Sequence, residues 1–410
     1  MNKYWRSVIS VLTGTAVAQA IPVLGALVIT RLFAPAEFGI FSAWLGLVML
    51  LVVFLTFRFE MTLAIEEDGQ PRRLAVAAVL ITTTLVSAIV AASLLIGAIL
   101  FPNLLTKYPS TLVSTCLPTA FLFAASNLWQ AWAAAEGEYR KLSYIRIIQT
   151  GLITLFQIGA GVWFSNSAAL VISQLLGLFF SLALAIYIIP LSNLPKKSDL
   201  LAYTIIFWKK HRRFPIFSLP ASFINTAAIQ LPVLIVAGRF GSDIAGLLAM
   251  TIKVLGAPIG LLGKSVLDVF IRYAASSYRE RGDCREEYIK TFYALTFGSL
   301  IFCFAMVLSG ENLFILAFGQ EWSHAGKIAI WLLPMFALRF IASPLSYMVY
   351  IADKQHLDLI WQIGLLGVTL ACLAWISEYK LALQAYSVSY AALYLIYLVM
   401  SYRFSLGRRG

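Results

Sequence analysis

Apolar runs of about twenty residues recur along the whole chain, the length of helix that covers a bilayer's hydrocarbon core of about 30 Å. The clearest, Phe38 to Phe57, contains no charged residue. In lipid only helices and closed barrels satisfy every backbone N–H and C=O. Barrel strands are about half as long and alternate polar with apolar residues, which these runs do not. An all-α integral membrane protein is therefore predicted. Of the 410 residues, 60% are hydrophobic and 12% charged. A soluble domain needs about a quarter charged, so little of this chain is left to form a water-facing domain.

Twelve spans are predicted: Val8–Thr30, Phe38–Phe57, Leu74–Phe101, Thr111–Ala135, Ile147–Phe164, Ala168–Pro190, Phe214–Gly238, Ile244–Ile271, Thr291–Gly310, Ile328–Tyr350, Leu357–Ser377 and Leu381–Tyr402. Lys3, Arg6 and Ala18-Gln19-Ala20 imitate a signal peptide. The apolar run continues through Pro22 to Thr30, however, so an uncleaved first span is expected. An even number of spans leaves both termini on one side. With that side cytoplasmic, 23 of the 31 Lys and Arg fall in cytoplasmic segments, 5 outside and 3 within spans. The bias follows the positive-inside rule. It also accounts for the net charge of +12 as topology rather than nucleic-acid binding.

The longest cytoplasmic segment, 191–213, separates residues 1–190 from 214–410 and leaves six spans on each side. Its apolar stretch Leu200–Trp208 followed by Lys209-Lys210-His211-Arg212-Arg213 suits an interfacial helix beside anionic head groups, or a plain linker. The halves echo each other. Arg31, Phe33, Glu37 and Gly39 correspond to Arg239, Phe240, Asp243 and Gly246, with Pro22 and Pro232 upstream. Two six-helix bundles related by a pseudo-two-fold along the membrane normal are expected.

Ionisable groups at mid-span cost at least about 2.5–3.5 kcal/mol and normally face a cavity or a partner. The eighth span carries Lys253, Lys264 and Asp268; the tenth carries Arg339. Lys253 and Lys264 are three turns apart on one helix face, and Asp268 can pair with Lys264. The expected site is a central cationic cavity for an anionic substrate, centred on Lys253 and Arg339 with Lys264 nearby. Arg58 and Glu60 read either as part of it or as an interfacial anchor. Arg31 and Arg239 read either as site residues or as helix caps. Four scattered cysteines and three dispersed histidines give no metal-ligand spacing, so no metal and no cofactor are expected.

Thr30-Arg31-Leu32-Phe33-Ala34-Pro35-Ala36-Glu37-Phe38-Gly39 with Arg58-Phe59-Glu60 resembles the opening of bacterial polysaccharide-biosynthesis membrane proteins, the O-antigen-type flippases. So do Gly241–Gly246 with Pro258 and Gly260, and Phe318-Gly319-Gln320-Glu321-Trp322-Ser323-His324-Ala325-Gly326. The resemblance implies the multidrug/oligosaccharidyl-lipid/polysaccharide exporter fold, two six-helix bundles with alternating access. It implies a multi-pass protein of the bacterial inner membrane that moves a polyprenyl-diphosphate-linked oligosaccharide to the periplasmic leaflet for O-antigen or lipopolysaccharide. By position it assigns diphosphate binding to Arg31, Arg58 and Lys253. Related carriers use a proton or sodium gradient, for which Asp268 or Glu60 would serve. Polymerase and chain-length proteins are the implied partners. A multidrug antiporter would favour acids over Lys and Arg in its cavity. A membrane glycosyltransferase or polymerase would carry a larger extramembrane loop, and the chain contains no DxD triplet.

Overall fold

The computed structural model describes residues 3–100, 109–191, 197–352 and 354–407; side chains are described for all of these except 3–13, 15, 197–199, 261–265, 268, 355, 356 and 359. Every regular element among the described residues is helical. The first half comprises α1 (Lys3–Leu32), α2 (Pro35–Leu55), a 3-10 turn (Phe59–Ala64), α3 (Gln70–Leu100), α4 (Ser110–Ala135), α5 (Tyr139–Trp163) and α6 (Ser167–Ile188). A linker helix follows, α7 (Lys197–Lys210). The second half comprises α8 (Leu219–Phe240), α9 (Ser242–Arg281), α10 (Arg285–Phe318), α11 (Ser323–Leu345), a single turn α12 (Met348–Ile351), α13 (Gln355–Trp375) and α14 (Tyr379–Ser405).

Ten of these segments are long and apolar enough to cross a membrane among the described residues, and Ala16–Leu32 and Ile360–Trp375 are shorter apolar stretches. Together they follow the twelve predicted spans in order. The spans were read too short where helices continue past the lipid. α9 has 40 residues, about 60 Å, twice the hydrocarbon thickness; it ends at Gly282, whose φ of 78° suits glycine. α5 begins at Tyr139 rather than Ile147. Arg140, Lys141 and Arg146, read as loop charges, therefore sit on the helix. No Gly or Pro interrupts residues 139–147, whereas Gly137 with φ 71° marks the preceding turn.

The chain forms two compact units: Met1–Phe33 with Ile40–Gln230, and Ala34–Gly39 with Leu231–Gly410. In unit 1, α1 and α5 run parallel in a constant register set by small residues. A Cβ at Gly14 would collide with Ser143, one at Gly25 with Thr154, and one at Gly161 with Phe33. Such notches let backbones approach where lipid offers no hydrophobic drive. The core at the linker end of unit 1 gathers Phe59, Leu63, Val76, Val79, Leu128, Trp129, Trp132, Leu142 and Phe207.

In unit 2 the segment Ala34–Gly39 crosses the start of α9. A Cβ on Gly39 would stand 1.8 Å from Ser242 O, and one on Gly246 would stand 1.9 Å from Pro35 O. The contact is reciprocal: Gly39 and Pro35 face Ser242 and Gly246, at matching positions of the sequence repeat. Phe38 meets Trp322 edge-on at 5.7 Å, and Trp322 is fully buried. Residues from all three family-like segments thus pack together at one end of unit 2. Their residue types serve close packing.

Candidate functional site

In unit 2, α9 and α11 are held together by Thr251, whose Oγ1 donates to Ala325 O at 3.0 Å. Lys253 lies two residues on, about 200° round the helix, and so points away from that seam. It is half-buried, and among the described residues its ammonium has no hydrogen-bond or ion-pair partner. Arg339 lies on α11 with its guanidinium 5.9 Å from the ring centre of Phe336, a cation–π distance. A ring carbon of Phe336 lies 3.9 Å from where a Cβ on Gly256 of α9 would stand. Lys253 and Arg339 are therefore on adjacent packed helices without touching each other. Lys264 and Asp268 fall among the residues whose side chains lie outside those described.

Arg339 faces a column that sequence reasoning missed. Tyr386, Tyr390 and Tyr394 recur every four residues along α14, which packs against α11, and all three are buried. The rings of Tyr386 and Tyr390 are 4.5 Å apart, and Tyr390 Oη is 2.7 Å from Thr369 Oγ1. Farther along, Tyr397 donates to Asp358 at 3.1 Å and Gln362 Nε2 donates to the same carboxylate at 2.7 Å. Asp358 was not among the candidate residues read from the sequence. The signal that could have exposed it was the tyrosine repeat at helical spacing.

In unit 1, Phe57 and Arg58 both adopt left-handed backbone, with φ of 49° and 61°. For non-glycine residues this costs of order 1–3 kcal/mol each and is concentrated at functional sites. The turn places Arg58 Nη1 2.9 Å from Glu60 Oε1. Arg58 Nε and Glu60 Oε2 are buried with no hydrogen-bond partner among the described residues. The pair is thus half-satisfied and has capacity for one further polar group. Arg146 donates to Gln130 Oε1 at 3.1 Å, and Gln130 Nε2 donates to Gln149 at 2.8 Å, a polar chain between α4 and α5.

The two remaining arginines differ. Arg31 is exposed and donates to Leu27 O in its own last turn. Arg239, in unit 2, donates to Leu373 O at 2.8 Å and Ile376 O at 3.0 Å, capping the end of α13. Of the two readings open for Arg239, the structure supplies the geometry of the cap.

At the linker, Glu66 is buried and accepts from Lys210 Nζ at 2.6 Å and His211 Nε2 at 2.5 Å. Burial opposes its charge, yet the hydrogen bonds from Lys210 and His211 and the positive charge of Lys210 hold its carboxyl below the usual pKa. The Lys210 ammonium is correspondingly raised, chiefly by its hydrogen bond to Glu66.

A family of polysaccharide biosynthesis proteins matches residues 28–327. No curated protein matches the chain in sequence. Among solved structures, the fold is similar to lipid II flippase MurJ in an inward closed conformation, with TM-score 0.70, 12% identity, and 97% of this chain and 87% of that one covered. It is similar to a MATE family multidrug resistance transporter of the MOP superfamily facing inward, with TM-score 0.65, 12% identity, and 94% and 93% covered. The outward-facing conformation of a MATE family transporter gives TM-score 0.58 at 12% identity, with 97% and 94% covered. At 12% identity these likenesses concern the fold alone.

Proposed function

Because this chain belongs to the polysaccharide biosynthesis protein family, we propose that it is a flippase for a polyprenyl-diphosphate-linked oligosaccharide. It carries this lipid from the cytoplasmic to the periplasmic leaflet of the bacterial inner membrane by alternating access, with both termini cytoplasmic. The exported unit feeds O-antigen or lipopolysaccharide assembly, handed on to a polymerase and chain-length proteins.

Lys253 carries the reading. A half-buried ammonium on an apolar span, unpaired among the described residues, is costly in lipid until an anion arrives. A diphosphate supplies that anion. Arg339 adds a guanidinium fork suited to phosphate oxygens on the adjacent helix. Arg58, with its free Nε, and Arg31 are the corresponding cations of unit 1, and Lys264 extends the set. The prenyl tail stays in the bilayer throughout, so only the head group needs a polar route. A proton or sodium gradient drives the cycle, with Glu60, whose Oε2 lacks a partner among the described residues, or Asp268 as the coupling carboxylate. A multidrug antiporter of the same fold remains the alternative, but it handles organic cations and has no use for an unpaired ammonium at this depth.

The test is complementation of glycan export in cells that depend on this chain, using Lys253→Ala and Arg339→Ala at normal abundance. Loss of surface glycan with accumulation of its lipid-linked precursor is expected. Full export by both variants would overturn the binding roles.

A further inference from the structure

The linker helix α7 has two working faces. One is turned into unit 1: Thr204, Phe207 and His211 are buried at helical spacing. Trp208 Nε1 donates to Thr82 Oγ1 on α3 at 2.8 Å, and its ring lies 6.1 Å from Phe57. Phe207 meets Phe59 edge-on at 5.4 Å. The Glu66 latch fixes the helix end through Lys210 and His211. α7 is therefore a docked element with a set orientation, which the sequence alone left undecided.

The other face is open and graded. Leu201 and Ile205 lie one turn apart and Lys209 continues the same column, while Arg212 and Arg213 follow just beyond the helix end. Leu201, Ile205 and Ile206 are 46%, 60% and 63% exposed. Lys209, Arg212 and Arg213 are also exposed, and among the described residues they have no ion-pair partner. Immediately afterwards Ile216 and Phe217 are exposed where the chain enters the next span. Apolar side chains beside three free cations at the start of a span mark the depth where acyl chains meet head groups.

We propose that Lys209, Arg212 and Arg213, with Leu201, Ile205 and Ile206 beneath them, form a binding site for an anionic phospholipid of the surrounding leaflet. The cations meet the lipid phosphate and the aliphatic side chains meet its acyl chains. Docking of α7, tied to Glu66 at Lys210 and His211, fixes the helix end that Lys209, Arg212 and Arg213 flank. The lipid thus binds on the segment that joins the two halves of the chain.

The experiment titrates purified full-length protein in neutral detergent with dioleoylphosphatidylglycerol, dioleoylphosphatidylcholine or inorganic phosphate, and follows the thermal unfolding midpoint. Phosphatidylglycerol is expected to raise the midpoint saturably; the other two are not. Each lost cation should weaken half-saturation about fivefold, so Lys209→Gln/Arg212→Gln/Arg213→Gln should abolish it over an accessible range. Arg279→Gln/Arg285→Gln/Lys354→Gln removes equal charge from exposed positions elsewhere and should bind as wild type. The charge-keeping Lys209→Arg/Arg212→Lys/Arg213→Lys should keep the response. Single Arg212→Gln, one charge short, gives the intermediate value and stands in if the triple variant does not fold. An equal loss in both neutralised triples, or a wild-type response in Arg212→Gln, would overturn the site.

Discussion

Replacing Gly246 by alanine tests the reciprocal crossing in unit 2. In an unobstructed helix, Gly→Ala stabilises by about 0.5–1 kcal/mol because alanine loses less backbone entropy. Here the new Cβ would stand 1.9 Å from Pro35 O and 2.8 Å from Pro35 C. Carbon and oxygen need about 3.3 Å even in a close contact, so the two backbones must separate by more than an ångström. Neither obstructing atom belongs to a side chain that could rotate aside. Overpacking costs about 1–3 kcal/mol, and rigid obstruction points to the upper end. Subtracting the helix gain leaves a net loss of about 2 kcal/mol. Gly39→Ala, with Ser242 O in its way at 1.8 Å, should cost the same. The double variant should lose less than the sum, because the first substitution already parts the crossing. Gly151→Ala and Gly364→Ala, where a Cβ meets nothing within 4 Å, should be neutral or stabilising. The assay is thermal unfolding in detergent across all five variants. A Gly246→Ala protein as stable as the Gly364→Ala control would refute the packing argument, and additive losses would refute its reciprocity.

Arg72 is buried and donates to Leu63 O, Ala135 O and Glu66 O while pairing with Asp68. Arg72→Met should cost about 3 kcal/mol, read as lowered midpoint and abundance. Tyr390→Phe should lose only about 1 kcal/mol, since Thr369 keeps its bond to Leu365 O. The Glu66 latch gives a pH dependence. A depressed carboxyl pKa stabilises the fold above the ordinary carboxylate range and loses that contribution as pH falls through the lowered value. The raised Lys210 pKa stabilises below the ordinary lysine value and is lost only as pH rises past the higher one. Hydrogen-exchange protection of α7, corrected for the intrinsic pH dependence of amide exchange, should therefore stay high at neutral and mildly alkaline pH and fall in acid. Glu66→Gln should exchange fast at neutral pH and lose the acid transition.

The helical spans were legible because bilayer thickness imposes one length on every span, so even short apolar windows located them. Their ends were not, because helices such as α9 and α5 run on through charged turns that hydropathy assigns to loops. The Gly39–Gly246 correspondence was visible as a repeat, but its physical meaning, two backbones in contact, needed coordinates. Lys253 and Arg339 stood out by their cost in lipid. Asp358 did not, since a carboxylate in the first turn of α13 reads as a cap until Tyr397 and Gln362 are seen to hold it. Arg239 looked like its counterpart Arg31, and only the Leu373 and Ile376 carbonyls distinguish them. The left-handed Phe57–Arg58 step has no glycine or asparagine to announce it.

The most direct measurement is translocation of isotope-labelled polyprenyl-diphosphate-linked sugar in vesicles reconstituted with this chain, comparing wild type with Lys253→Ala under imposed proton and sodium gradients. The account predicts gradient-dependent movement by wild type and at least a tenfold loss in the variant, given the mid-span cost of about 2.5–3.5 kcal/mol that the diphosphate relieves. Equal rates for the two proteins would contradict it.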